Sequence, residues 1–234
     1  MPKTSYRFAP AFDRLRERGI GESGMNKSIS SSDRLNYRVH RGETTLALDL
    51  ALATARRPAL SAKFGPESAV FLHLVTQRLP DIPVIRVETG YDTQATLRFV
   101  AELTERLRLN LKIFRPHAHL IRLPPALDEP DHAAFTDEVK LVPFREALAH
   151  LGVDVWLSSI RRYQSAHRRQ VETFERLDTG APRGIMKVSP MLGWTPNDIR
   201  LYAEEHDLPT GPEVFDPTKG VAFRECGLHG RLGA

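Results

Sequence analysis

From Glu43 onward the chain sorts into short apolar runs separated by longer amphipathic stretches. Leu46, Ala47, Leu50, Ala51 and Ala55 recur at helical spacing. Strands are predicted beyond them over Ala59–Phe64, Val84–Glu88, Leu111–Arg115, Val153–Ser158 and Ile185–Val188. Helices are predicted in between. Val70, Phe71, Leu74 and Val75 form one stripe of Ala69–Leu79, and Leu97, Val100, Ala101, Thr104 and Leu107 form one of Thr93–Leu109. Phe144–Leu151 is shorter, and Pro196–His206 opens with Thr195 as N-cap and Pro196 at the first helical position. Strands alternating with helices of this length imply βαβ units. The expectation is one α/β domain over residues 42–208, with a doubly wound, mainly parallel sheet.

The two ends read differently. Residues 1–41 show little periodicity and contain the polar run Ser28-Ile29-Ser30-Ser31-Ser32-Asp33, so a mostly disordered leader is expected, with a short helix at 10–18. Residues 209–234 are expected to be a flexible, mobile C-terminal tail.

Charge changes the picture in one respect. The formal net charge is +4, yet residues 1–41 carry nine Lys/Arg against four Asp/Glu, while the remainder is close to neutral. The basic balance therefore belongs to the leader and does not describe a nucleic-acid-binding body. There is no long apolar run and no apolar signal region at the N-terminus, so neither a membrane partner nor secretion is expected. A single cysteine fits a cytoplasmic setting.

Ligands of such sheets bind beyond the carboxyl ends of the strands, which is where candidate chemistry is sought. After the first strand, Ser61-Ala62-Lys63-Phe64-Gly65-Pro66-Glu67-Ser68 runs into a helix. A helix N-terminus behind a small-residue turn offers unpaired N–H groups to an anion, and Ser61, Lys63 and Ser68 add donors. The loop has neither the Walker A nor the Gly-x-Gly-x-x-Gly pattern. After the second strand, Thr89-Gly90-Tyr91 would let a planar base approach the backbone. After the fourth come Arg161 and Arg162, whose forked guanidinium groups suit phosphate or sulfate, with His167, Arg168 and Arg169 following. A strand-to-helix turn there would aim both Arg161 and Arg162 inward. Lys187, at the end of the fifth strand, adds a cation.

The only cysteine, Cys226, lies near the C-terminus in Arg224-Glu225-Cys226-Gly227-Leu228-His229. Lone cysteines are most often inert small hydrophobes. Glycine neighbours cannot help bury this one, and Arg224 and His229 favour the thiolate. A solitary thiol can close neither an internal disulfide nor a paired-cysteine metal site. If it reacts, it does so as a nucleophile that an external thiol regenerates.

At this point the sequence resembles the phosphoadenylyl-sulfate (PAPS) reductase family, from about Leu46 to His229. The Arg224–His229 run is the most specific match. It is supported by Ser61–Val70, His73–Gln77, Pro80–Ile85, Thr89–Tyr91, Arg161-Arg162 with Gln164-Ser165, and Lys187-Val188 with Pro190. The resemblance implies a sheet of the adenine nucleotide α-hydrolase-like type, and reduction of PAPS to sulfite and adenosine 3′,5′-bisphosphate through a Cys-S-sulfonate. It implies Cys226 as nucleophile, assisted by His229. Ser61, Gly65 and Ser68 would cradle a phosphate, Thr89 and Gly90 would line the adenosine site, and Lys140, Arg161 and Arg162 would hold anionic groups. Lys63, Lys187 and Arg224 complete the substrate-binding set.

Thioredoxin or glutaredoxin would be the reductant, and a homodimer is compatible with the chain. No resident cofactor is expected, and no iron–sulfur cluster, because such a cluster needs several cysteine thiolates. An adenylyl-sulfate-specific variant and a non-catalytic nucleotide-binding homologue stay open as alternatives. The chain departs from the family in residues 117–139, which lack an aromatic segment, and in Pro209–Phe223, which is shorter.

Overall fold

A computed structural model of the protein describes residues 29–117, 123–178, 182 and 184–219. The helix expected at 10–18 and the site residues Arg224, Cys226 and His229 lie outside the described residues. Among the described residues, six α-helices and six strands follow in the order α1 Ser31–Thr54, β1 Pro58–Ser61, α2 Ser68–Thr76, β2 Pro83–Val87, α3 Gln94–Arg106, β3 Asn110–Phe114, α4 His132–Thr136, α5 Val142–His150, β4 Val155–Leu157, β5 Phe174–Leu177, β6 Ile185–Val188 and α6 Pro196–Glu205. None of the described helices is long and apolar enough to cross a membrane.

The strands form one sheet in the order β3-β2-β1-β4-β6-β5. Its first five members are parallel, and β5 closes one edge antiparallel to β6. Alternate side chains of each strand serve opposite faces. Leu60, Val84, Val155 and Leu157 join Leu48, Val70, Leu72, Leu103 and Tyr202 in the larger core, beneath α1, α2, α3 and α6. Ala59, Ile85 and Trp156 join Phe144, Ala147 and Leu148 of α5 in the smaller core on the other face. The doubly wound, mainly parallel architecture is thus as expected, and the five predicted strands lie within two residues of β1, β2, β3, β4 and β6 at most ends.

Three differences have physical causes. Residues 31–41, expected in a disordered leader, are the first three turns of α1. Its polar start is a capping box: the Ser30 hydroxyl accepts from the Asp33 N–H at 3.1 Å, and the Asp33 carboxylate accepts from the Ser30 N–H at 2.9 Å. Second, α4 and α5 are joined through a π-helical turn at Asp137–Leu141, where the Val142 N–H bonds the Asp137 carbonyl five residues back. Pro143 has no N–H and its ring conflicts with the carbonyl four residues earlier, so the ladder widens there. Third, residues 209–219, expected in a flexible tail, are seated on the body. The Gly211 N–H donates to the Pro66 carbonyl at 3.1 Å, and a Cβ at Gly211 would stand 2.6 Å from the Gly65 oxygen and 2.5 Å from the Phe99 ring. Only glycine allows that approach.

Candidate functional site

The sheet order reverses between β1 and β4, whose carboxyl ends lie side by side. At such a switch point the loops leaving the two strands diverge and open a crevice. Here the crevice has a volume of about 680 Å³. Its walls are the loop from β1 to α2, the ends of β2 and β4, the π-helical turn, and the chain segment Glu213–Lys219 crossing back over it.

The β1–α2 loop is held tightly. Phe64 adopts a left-handed conformation, φ 56°, uncommon for a bulky residue, and its ring is fully buried. The turn it makes lets Ser68 N–H bond the Gly65 carbonyl at 3.0 Å and start α2. The helix's first amides, with the partial positive charge of that end, then face the cleft. Ser61 is fixed by the indole of Trp156, whose Nε1 donates to its hydroxyl at 2.9 Å.

Cations surround this loop, each held by a carboxylate or amide. The Arg161 guanidinium is 4% exposed and pairs with Glu67, the N-cap residue of α2. The Tyr163 hydroxyl donates to the same carboxylate at 2.8 Å. Burial raises the Tyr163 phenol above its ordinary pKa against the opposing pull of Arg161, so it stays a donor. Arg168 donates to the Gln164 carboxamide, which also accepts from the Arg161 N–H at 3.1 Å. Arg86, buried in β2, pairs with Glu88 at 3.0 Å and Asp92 at 2.9 Å, with its guanidinium 6.0 Å from the centre of the Phe64 ring. Burial raises the Asp92 carboxyl, and Arg86 offsets part of that.

On the far wall, Lys140 projects from the π-helical turn onto Asp216 at 2.5 Å. Burial alone would raise the Asp216 carboxyl. The Lys140 ammonium and the bonds from Thr218 outweigh it and hold the group below its ordinary value. This pair fastens the returning segment across the cleft.

Of the residues expected at the site, Ser61, Lys63, Gly65, Ser68, Thr89, Lys140 and Arg161 line the cleft together. Gly90 is exposed with φ 88° and lies beside the lining rather than in it. Arg162 is not brought in. It opens a 3₁₀ turn behind the extended Arg161, its N–H bonds the Leu192 carbonyl, and its side chain is exposed whereas that of Arg161 is buried. Lys187 is buried away from the cleft lining, paired with Glu175 of β5 at 2.6 Å and 5.9 Å from the Trp156 ring centre. Glu67, Arg86, Tyr163 and the segment 213–219 were missed. A charge in the middle of the apolar run Pro83–Val87 was the available signal for Arg86. The other three depend on long-range contacts. Among the described residues, no group of three or more His, Cys, Asp or Glu side chains could hold a metal ion.

Residues 57–215 match the phosphoadenosine phosphosulfate reductase domain family. A phosphoadenosine 5′-phosphosulfate reductase of a Synechococcus species is 43% identical over 164 residues, 67% of this chain and 68% of its own. One from Xylella fastidiosa is 41% identical over 204 residues, 74% of this chain and 82% of its own. The solved structure of a PAPS reductase from Candida auris, in a phosphate complex, superposes with a TM-score of 0.61 at 21% identity, covering 80% of this chain and 91% of that one. This last likeness is one of fold.

Proposed function

This chain belongs to the phosphoadenosine phosphosulfate reductase family, and from that premise we propose that it reduces PAPS to sulfite and adenosine 3′,5′-bisphosphate. The supporting observation is a cationic cleft crossed by a chain segment that leads to the only cysteine. Lys63, Lys140, Arg161 and Arg168 line it along with the start of α2, and Lys219 of the returning segment lines it too. Cys226 is the seventh residue after Lys219. At about 3.3–3.6 Å per extended residue, its sulfur is tethered within roughly 25 Å of the cleft wall.

In this reading Ser61, Gly65 and Ser68 cradle the 5′-phosphate, and Thr89 borders the adenosine. The Cys226 thiolate attacks the sulfonate sulfur. An S–S bond forms, the bond from sulfur to the phosphate oxygen breaks, and its electron pair leaves with adenosine 3′,5′-bisphosphate. Negative charge grows on the departing phosphate, where fixed cations stabilise the transition state most. Lys140 and Arg161 are suited to this because Asp216 and Glu67 already fix their positions. A dithiol protein of the thioredoxin or glutaredoxin type then attacks the Cys226 sulfur. Sulfite departs, and the second thiol of the reductant closes its disulfide, supplying the two electrons. With one cysteine in the chain, this route uses no iron–sulfur cluster.

The test is sulfite release from PAPS with thioredoxin and its reducing system, run beside adenylyl sulfate. PAPS is expected to be the better substrate, and Cys226→Ser to abolish release. Undiminished release from that variant would refute the assigned nucleophile. Preference for adenylyl sulfate would overturn the substrate assignment alone.

A further inference from the structure

Trp156 does not itself line the cleft, yet it determines how one lining residue can bond. It stands opposite Ala59 in the register of β4 on β1. Ser61, two residues further along β1, therefore lies on the same face of the sheet, diagonally ahead. Strand spacing and rise put the two backbones about 8 Å apart, a gap that an indole spans. Its Nε1 comes to 2.9 Å from the Ser61 hydroxyl. The ring has no room to turn away. Trp156 is fully buried in the smaller core, with its ring centre 4.8 Å from that of Phe144 at an interplanar angle of 58°.

Chemistry sets the direction of this bond. An indole nitrogen can only donate, so the Ser61 oxygen must accept. A hydroxyl has one hydrogen of its own to give. Ser61 gives it to none of the described residues, although it borders the cleft and keeps partial exposure.

An unassisted serine turns among three rotamers and offers a lone pair or a hydrogen as its ligand requires. Here the indole occupies a lone pair from the core side, and the hydrogen is left for the cleft. Donation from the indole also polarises the hydroxyl and strengthens it as a donor. Lys63, Lys140 and Arg161 line the same cleft and favour anions. An anionic oxygen, which only accepts, is the ligand group that such a committed donor fits.

We propose that Trp156 is a positioning residue that holds the Ser61 hydroxyl as a dedicated donor to the 5′-phosphate of the nucleotide. The inference rests on the assignment of the cleft to PAPS. Affinity for adenosine 3′,5′-bisphosphate is measured by calorimetric titration of wild type, Trp156→Phe, Ser61→Ala and the double variant. Ser61→Ala is expected to weaken binding about tenfold. Trp156→Phe should weaken it several-fold, and the double variant no more than Ser61→Ala alone, because no hydroxyl is left to orient. Adenosine 3′-monophosphate, which lacks the 5′-phosphate, should bind wild type and Trp156→Phe alike.

Losses that add in the double variant, or that persist toward the monophosphate, would overturn the proposal, since a packing defect acts without Ser61. Wild-type affinity in Trp156→Phe would overturn it too. Phenylalanine also leaves space in the core, so a second substitution separates the lost bond from the lost volume. Benzothienylalanine, placed site-specifically at position 156, keeps the shape of tryptophan with sulfur in place of the N–H. It should reproduce the weakening at a thermal midpoint close to that of wild type, and undiminished affinity there would refute the role. A wild-type chain that binds neither nucleotide would remove the PAPS reading and this inference with it, whereas additive losses on a tightly binding wild type remove the inference alone.

Discussion

Glu175 is the residue on which Lys187 depends. Lys187 is 2% exposed, and Glu175 is its carboxylate partner at 2.6 Å. Removing one member of such a pair strands a charge in a poorly solvating place. Glu175→Gln is expected to cost about 2–3 kcal/mol, lowering the thermal midpoint by roughly 5–10 °C, with nucleotide affinity unchanged. Calorimetry beside a binding titration checks this, and a large affinity loss would return Lys187 to the substrate site. Asp216 makes a prediction about pH. Its carboxyl is held below the ordinary value of 3.8, so the stabilisation it gives is complete above that value and is lost as pH falls through the lower, folded one. Asp216→Asn should therefore loosen the segment 209–219 at neutral pH, seen as faster proteolytic cleavage there, and should flatten the acid limb of the stability curve below about pH 4. Residue by residue, the cleft-lining residues at the ends of β1 and β4 were legible because strand ends are read from apolar runs. Their carboxylate partners were not, since Glu67 meets Arg161 across 94 positions and Asp216 meets Lys140 across 76.

Helices whose apolar residues keep to one face, such as α3 and α6, were read to within a few residues, down to the Thr195 N-cap. Helix α1 was read only in its second half, because apolar positions on two faces blur the 3.6-residue period. Strand β5 was missed for another reason. It is a short edge strand with Glu175 and Arg176 at its centre, and its existence depends on β6 beside it. The π-helical turn is set by a single proline, and its consequence, Lys140 aimed across the cleft, is tertiary. The segment 209–219 was read as tail because proline and glycine punctuate it. Gly211 is instead the point of closest approach to the β1–α2 loop. Gly211→Ala is expected to cost about 1–3 kcal/mol by overpacking against the Gly65 carbonyl and Phe99. It should raise the KM for PAPS several-fold, since the same loop would cradle the phosphate. An unchanged KM would separate the segment's docking from substrate binding.

At the scale of the molecule, alternation of strands and helices was enough to specify the doubly wound sheet and to point to the carboxyl ends of its strands. It could not specify the order of those strands, and so could not locate the reversal between β1 and β4 where the cleft opens. The proposed reaction requires that this cleft be coupled to a reactive sulfur, that of Cys226, tethered beyond Lys219. Intact-mass spectrometry of the full-length protein mixed with PAPS in the absence of any reductant tests it most directly. The expected result is a mass increase of one sulfonate group, mapped to Cys226, with release of one equivalent of adenosine 3′,5′-bisphosphate. A protein that binds the nucleotide yet stays unmodified, or carries the sulfonate on another residue, would contradict it.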